Sequence, residues 1–173
     1  GFTAKRCFEI GFIPVTEDGV CGVQFCNLTT INGQKIKTED DFYKAVEAET
    51  IIGTLQACYT KFPYLGHVAE TLTKNESLLG CSITAILANK EVLLNPKFQK
   101  EAAKIAVKIN KKWAEILGIN QAARVTCLKP EGTGTKALGS TLSGIHGAHS
   151  KKQFLRIQCN KDDNVYKFFK MYN

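Results

Sequence analysis

What the sequence lacks narrows its class before any motif is considered. It has no low-complexity tract, and 44% of its residues are hydrophobic and 23% charged, a globular balance that excludes a disordered chain. No run of about 18 apolar residues occurs, so no membrane-spanning helix is expected and no membrane partner. Gly1-Phe2-Thr3-Ala4-Lys5-Arg6 lacks the apolar centre of a signal peptide. There is no internal repeat and no flexible linker. No C-x-x-C pair occurs, and Cys7, Cys21 and Cys26 have neither a second close pair nor a histidine at zinc-ligand spacing, so no metal site is expected. The full Walker pattern of a phosphate loop, G-x-x-x-x-G-K-[ST], is also missing.

At 173 residues the chain can build one domain with a real core. Seven cysteines is an odd number in a chain that needs no disulfide staples, which points to a reducing, cytoplasmic setting with functional thiols among them. The net charge of +7 suits an anionic partner. Its main concentration, Lys100, Lys104, Lys108, Lys111 and Lys112, falls on the outer face of a predicted helix. No basic stripe with interleaved aromatics appears, so direct nucleic-acid binding is not expected.

Residues 22–31 are rich in β-formers and end at the turn signal Asn32-Gly33. Thr38 before Glu39, Asp40 and Asp41 caps a helix whose spacing runs through Phe42, Ala45, Val46, Glu49, Ile52, Leu55 and Tyr59 towards Pro63. A short buried strand is predicted over 78–83. Asn95-Pro96 starts a second helix, with Phe98, Ala102, Ile105, Ile109, Trp113 and Leu117 in one stripe and Gly118 at its end. Further strands are predicted over 124–128 and 154–159, and a last helix from Asp163. The alternation predicts an α/β fold with largely parallel strands.

The run Pro130, Glu131, Gly132, Thr133, Gly134, Thr135 follows a strand and precedes a helix. Such a turn offers backbone N–H groups and the positive helix end to an anion, so it is a candidate phosphate loop; a plain β-turn is the alternative.

Three stretches, in order, carry a resemblance. They are Cys7-Phe8-Glu9-Ile10 with Cys26-Asn27-Leu28-Thr29-Thr30-Ile31-Asn32; Tyr59-Thr60-Lys61-Phe62-Pro63-Tyr64-Leu65 with Leu79-Gly80-Cys81-Ser82-Ile83-Thr84; and Arg124-Val125-Thr126-Cys127-Leu128-Lys129-Pro130-Glu131-Gly132-Thr133 with Ser143-Gly144-Ile145-His146. Together they resemble the catalytic chain of ribonucleotide reductases, specifically the adenosylcobalamin-dependent class, from Cys7 to the end. The resemblance implies a ten-stranded α/β barrel of two half-barrels, with residues 7–173 forming the second and residues 1–6 a leader or junction. It implies that Cys7, at the tip of a finger loop, becomes a thiyl radical that takes the 3′ hydrogen of the ribose. Glu9 is then the general base at the 3′ hydroxyl, a task suited to a carboxylate. Cys26 is one of two thiols that supply the two electrons and end as a disulfide. The 130–135 loop then holds the phosphates of a ribonucleoside di- or triphosphate. Cys21, Cys58, Cys81, Cys127 and Cys159 are read as packing or incidental, and His146 and His149 as structural or surface residues.

The chain departs from the family at three positions. Lys5 and Arg6 stand where an Asn-Pro pair is usual, and Glu131 where serine is more frequent. The first half-barrel, the partner thiol of Cys26 and most of the cofactor's site are expected from a complementary half of the enzyme, without which this chain is expected to be inactive. The alternative is a catalytically inert barrel remnant that serves as a folded interaction module.

Overall fold

The computed structural model describes residues 2–4, 8–140, 142, 144–148, 150, 152, 154, 156 and 158–172. Near its start, β1 (Thr3–Ala4) and β2 (Gly11–Phe12) form a short antiparallel pair joined by residues 5–10. β3 (Asn27–Asn32) begins later than the β-forming run predicts. Residues 13–22 first turn back on themselves: Val15 bridges Cys21, and the Gly22 N–H donates to the Pro14 carbonyl at 2.8 Å.

From β3 the chain enters α1 (Glu39–Ala57) through a reciprocal cap. Asp41 N–H donates to Thr38 Oγ1 at 3.1 Å, and Thr38 N–H donates to Asp41 Oδ2 at 3.0 Å. α2 (Gly66–Glu76) is a helix that the sequence reading does not anticipate. It buries only Ala69, Leu72 and Thr73, too few for a strong apolar period. β4 (Leu79–Thr84) is buried throughout and runs parallel to β3, with Asn27 opposite Leu79 and Asn32 opposite Thr84.

α3 (Lys90–Leu93) leads into the long α4 (Pro96–Leu117). Its ends are those expected. Asn95 Oδ1 accepts from Lys97 N–H at 3.0 Å, and Gly118 closes it at φ +67°. Lys100, Lys104, Lys108, Lys111 and Lys112 are all exposed on its outer side.

Residues 124–127 then lie along β4 as a third parallel rung. The Leu79 N–H donates to the Arg124 carbonyl (3.0 Å), Cys81 N–H to the Val125 carbonyl (2.9 Å), and Cys127 N–H to the Cys81 carbonyl (2.9 Å). The expected strand at 124–128 is thus reduced to one bridge, Cys81 to Thr126. α5 (Gly132–Ala137) and α6 (Asn164–Tyr172) complete the chain. Of the run expected as a strand over 154–159, Leu155 and Ile157 lie outside the described residues, and Phe154, Arg156, Gln158 and Cys159 are in no strand and exposed. The architecture is mixed α/β with small sheets, parallel where β3 meets β4. Among the described residues no helix is long and apolar enough to cross a membrane.

The core lies between the β3–β4 pair and the helices α1 and α4. Phe42, Leu79 and Leu93 are fully buried in it, each contributing about 2–3 kcal/mol by leaving water. The buried face of α1 is not the stripe that spacing suggests. Ile52 and Leu55 are about half exposed, whereas Thr50, Gly53, Thr54 and Ala57 face inward. The reason is the close approach of α4, whose own innermost residues are Ala102, Ala106, Asn110 and Ala114. Asn110 ties the layer together: its Nδ2 donates to Thr54 Oγ1 at 3.1 Å, and its Oδ1 accepts from Ala122 N–H at 2.9 Å.

One charged residue is built into this interior. Glu49 on α1 is buried beside Cys81 in an apolar cavity of about 420 Å³ bounded by α1, β4 and α4. Burial pushes its carboxyl up to about 8, although the Ser82 backbone and the Thr29 hydroxyl pull the other way. Unfolded, the group ionises near its ordinary 4.5. Between those values the native state holds the extra proton, so stability falls as pH rises from about 4.5 to about 8 and levels off above. The decline attributable to this group is at most about 1.4 kcal/mol per pH unit. Glu49→Gln is therefore expected to raise the urea midpoint at pH 8 and leave it nearly unchanged at pH 4.5. Equal midpoints for parent and variant at both pH values would refute that reading.

Candidate functional site

β3 and β4 present opposite faces to different neighbours. Thr29 and Leu79 face α1, lying beside Gly53, and the Thr50 hydroxyl of α1 lies 3.8 Å from the Cys81 sulfur. On the other face, a Cβ added at Gly80 would sit 3.1 Å from the Cys26 sulfur and 3.1 Å from Ile10 Cδ1. Glycine at position 80 is therefore what lets the residues after the β1–β2 connection lie against this side of the sheet. Phe12, Cys26 and Leu78 form a small separate core there, with Ile10 and Leu28 packed on it.

A cleft of about 600 Å³ opens on this side. Glu9, Gln24, Cys26, Arg124 and Cys127 are among its lining residues. Two residues expected from the sequence, Glu9 and Cys26, are thus brought to one cavity from positions 17 apart in the chain. Cys7, the third, lies outside the described residues. It belongs to the 5–10 connection between β1 and β2, which also carries Glu9. Lys5 and Arg6 lie outside them as well.

Polar groups in this cleft are incompletely satisfied. Glu9 Oε2 and Gln24 Nε2 are buried atoms without a hydrogen-bond partner. Cys127 is half-buried, and its thiol is pushed up to about 11, first by burial and then by the nearby Glu9 carboxylate. At neutral pH it is a protonated thiol and not a nucleophilic thiolate. The sequence reading treats Cys127 as packing and does not single out Gln24. A glutamine in a β-rich run carries no chemical signal, and a cysteine after Thr126 is equally at home in a core. Cys81, by contrast, is buried as expected, while Cys21, Cys58 and Cys159 are exposed.

No protein-family model, curated protein or solved structure matches this chain. The chemistry of the site is therefore argued from its own groups. Two carboxylates (Glu9 and Glu76), an amide, a guanidinium and two thiols around one cavity can bind a hydroxylated ligand, move a proton and supply reducing equivalents.

The 130–135 loop begins beside this region. Lys129 N–H donates to Ser82 Oγ at 3.0 Å, two residues along β4 from Gly80. α5 then starts at Gly132, with Glu131 at its N-cap in a left-handed conformation (φ 48°). The Thr135 hydroxyl donates to the Glu131 carbonyl and lies 2.6 Å from the Thr84 hydroxyl. Gly144 N–H donates to Thr84 Oγ1 at 3.0 Å, which fastens the following turn to the end of β4. Of the two histidines in this part of the chain, His146 is exposed and His149 lies outside the described residues.

The Glu131 side chain decides what this loop can accept. It is buried, pairs with Lys129 Nζ at 2.7 Å, and folds back over the α carbon of Gly134. A carboxylate placed there competes with any external anion for the first-turn amides of α5. Glu131→Gln removes that charge and also leaves the Lys129 ammonium to the incoming anion. The variant is expected to bind inorganic phosphate about tenfold more tightly, equivalent to about 1.4 kcal/mol. An NMR titration following the amides of Gly132, Thr133 and Gly134 measures it. Unchanged or weaker binding would show that Glu131 is not what closes the loop.

Proposed function

We propose that this chain is the second half-barrel of a ribonucleotide reductase catalytic chain, and that the Glu9–Cys26 cleft is where the ribose is reduced. The observation that carries the reading is the convergence of Glu9 and Cys26 on one cavity. The parallel β3–β4 pair, with helices on one face and this cleft on the other, is the layering a half-barrel requires. The substrate is a ribonucleoside di- or triphosphate, and the complementary half supplies the rest of a ten-stranded barrel.

The balance of the reaction assigns the groups. A radical source outside this chain converts Cys7 to a thiyl, which takes the 3′ hydrogen of the ribose. Glu9 receives the 3′ hydroxyl proton as the 2′ hydroxyl leaves as water. Cys26 and a second thiol from the complementary half give two electrons and two protons and end as a disulfide. At the end Cys7 returns the hydrogen atom to the 3′ carbon and Glu9 its proton to the 3′ oxygen, so the Cys7 thiyl and the Glu9 carboxylate are regenerated. Glu9 is the group type for the proton transfer, and its Oε2 has no hydrogen-bond partner among the described residues.

Adenosylcobalamin is the radical source that the resemblance implies. A cavity of about 600 Å³ takes a sugar or a nucleoside but not a corrin ring with its nucleotide tail. The described residues of this chain do not fit that group, and no step is assigned to them through it.

A second reading, the inert barrel module, is favoured by one observation: the Glu131 carboxylate lies over the loop that should hold the phosphates. The two readings separate in one assay. Deoxynucleotide formation is measured with adenosylcobalamin and a dithiol, for the chain alone and after mixing with a chain that supplies the first half-barrel. The reductase reading expects no product from the chain alone and turnover on mixing. It also expects Cys7→Ser, Glu9→Gln and Cys26→Ser each to lose roughly a thousandfold or more, because members of a catalytic unit do not act additively. Turnover by the chain alone, or turnover in the mixture that survives Cys7→Ser, overturns the assignment. Association of the two halves with no product favours the inert module.

A further inference from the structure

Gln24 is 8% exposed, and it lines the same cleft as Glu9 and Cys26. Its Nε2 is buried without a hydrogen-bond partner. A buried amide donor left unpaired is costly, and such groups in folded chains call for a partner. Glu9 Oε2, in the same cavity, is an acceptor in the same condition. The two atoms are not paired with each other, and one ligand group in the cleft could serve both.

The requirement on that group is specific. It must accept from an amide N–H and donate to a carboxylate oxygen. A hydroxyl does both at once, whereas a carbonyl or a phosphate oxygen cannot donate and an ammonium cannot accept. We propose that Gln24 is a substrate-binding residue whose side-chain amide donates to a sugar hydroxyl that in turn donates to Glu9. The inference rests on the reading of this cleft as a ribonucleotide site, and it adds a residue that neither the motifs nor the resemblance assigns. It also makes the cleft selective. A site built around a hydroxyl rejects the analogue that lacks it, because the amide and the carboxylate are then both left unpaired.

The test uses the full chain labelled with ¹⁵N, titrated with cytidine diphosphate and with 2′,3′-dideoxycytidine diphosphate. The expected result is that cytidine diphosphate shifts the Gln24 side-chain amide and binds at least about fivefold more tightly than the dideoxy compound. In Gln24→Leu the preference is expected to fall below about twofold. Gln24→Glu, which keeps the side chain's shape but replaces its donor with an acceptor, is expected to lose the preference as well, with its backbone spectrum otherwise that of the parent. If both nucleotides shift the cleft amides equally, or if the preference survives both substitutions, the role of Gln24 is overturned and the nucleotide site stands. If neither nucleotide shifts the amides of Glu9, Cys26 or Arg124, the nucleotide reading itself is overturned, and this inference with it.

Discussion

The register between Asn27–Asn32 and Leu79–Thr84 is the constraint on which the rest of this structure depends. Parallel strands alternate their side chains, so this one register sends Thr29, Leu79 and Cys81 to the helices, and Cys26 and Gly80 to the other face. A slip of one residue would exchange the two sets. It would bury Leu28 and Thr30 against α1 and turn Cys26 away from its cleft. The side chains that would be misplaced hold the register. Leu79 is almost fully buried against α1, and Gly80 leaves room for Leu28 and Ile10 where a side chain would collide.

Both faces hold buried polar atoms without partners. On the helix side Asn110 pairs with Thr54 and with the Ala122 amide, while Glu49 Oε2 and Thr29 Oγ1 have no partner and burial holds the Glu49 carboxyl in its protonated form. On the cleft side Glu9 and Gln24 are buried with atoms left unsatisfied, and the thiol of Cys127 is held in its protonated form. Natural interiors concentrate such violations at functional sites, because the missing partners arrive with a ligand. The cleft is distinguished by the groups that line it together, Glu9, Gln24, Cys26 and Cys127.

Much of this was legible in the sequence, because local rules govern it. The ends of α4 follow from Asn95, Pro96 and Gly118, and the start of α1 from Thr38 and Asp41; each is decided within one turn of helix. The joint placement of Glu9 and Cys26 could be expected only from the order of the motifs. Other features depend on partners far away in the chain. The inward face of α1 is made of Thr50, Gly53 and Thr54 because α4 packs there, and no periodicity of apolar residues marks a face of small ones. The beginning of β3 was displaced by the bonding of Gly22 to Pro14. The part played by Gln24 could not be read at all, since its significance lies in a hydrogen bond that the chain does not make.

The central claim is that Cys26 delivers electrons to a ribose bound against Glu9. The most direct measurement is a single turnover by the chain joined to its complementary half, with no external dithiol, followed by mapping of disulfides in the quenched protein. The expected result is one disulfide containing Cys26 for each deoxynucleotide formed, as the replacement of one hydroxyl by hydrogen requires. Deoxynucleotide produced while Cys26 remains a thiol would contradict the account.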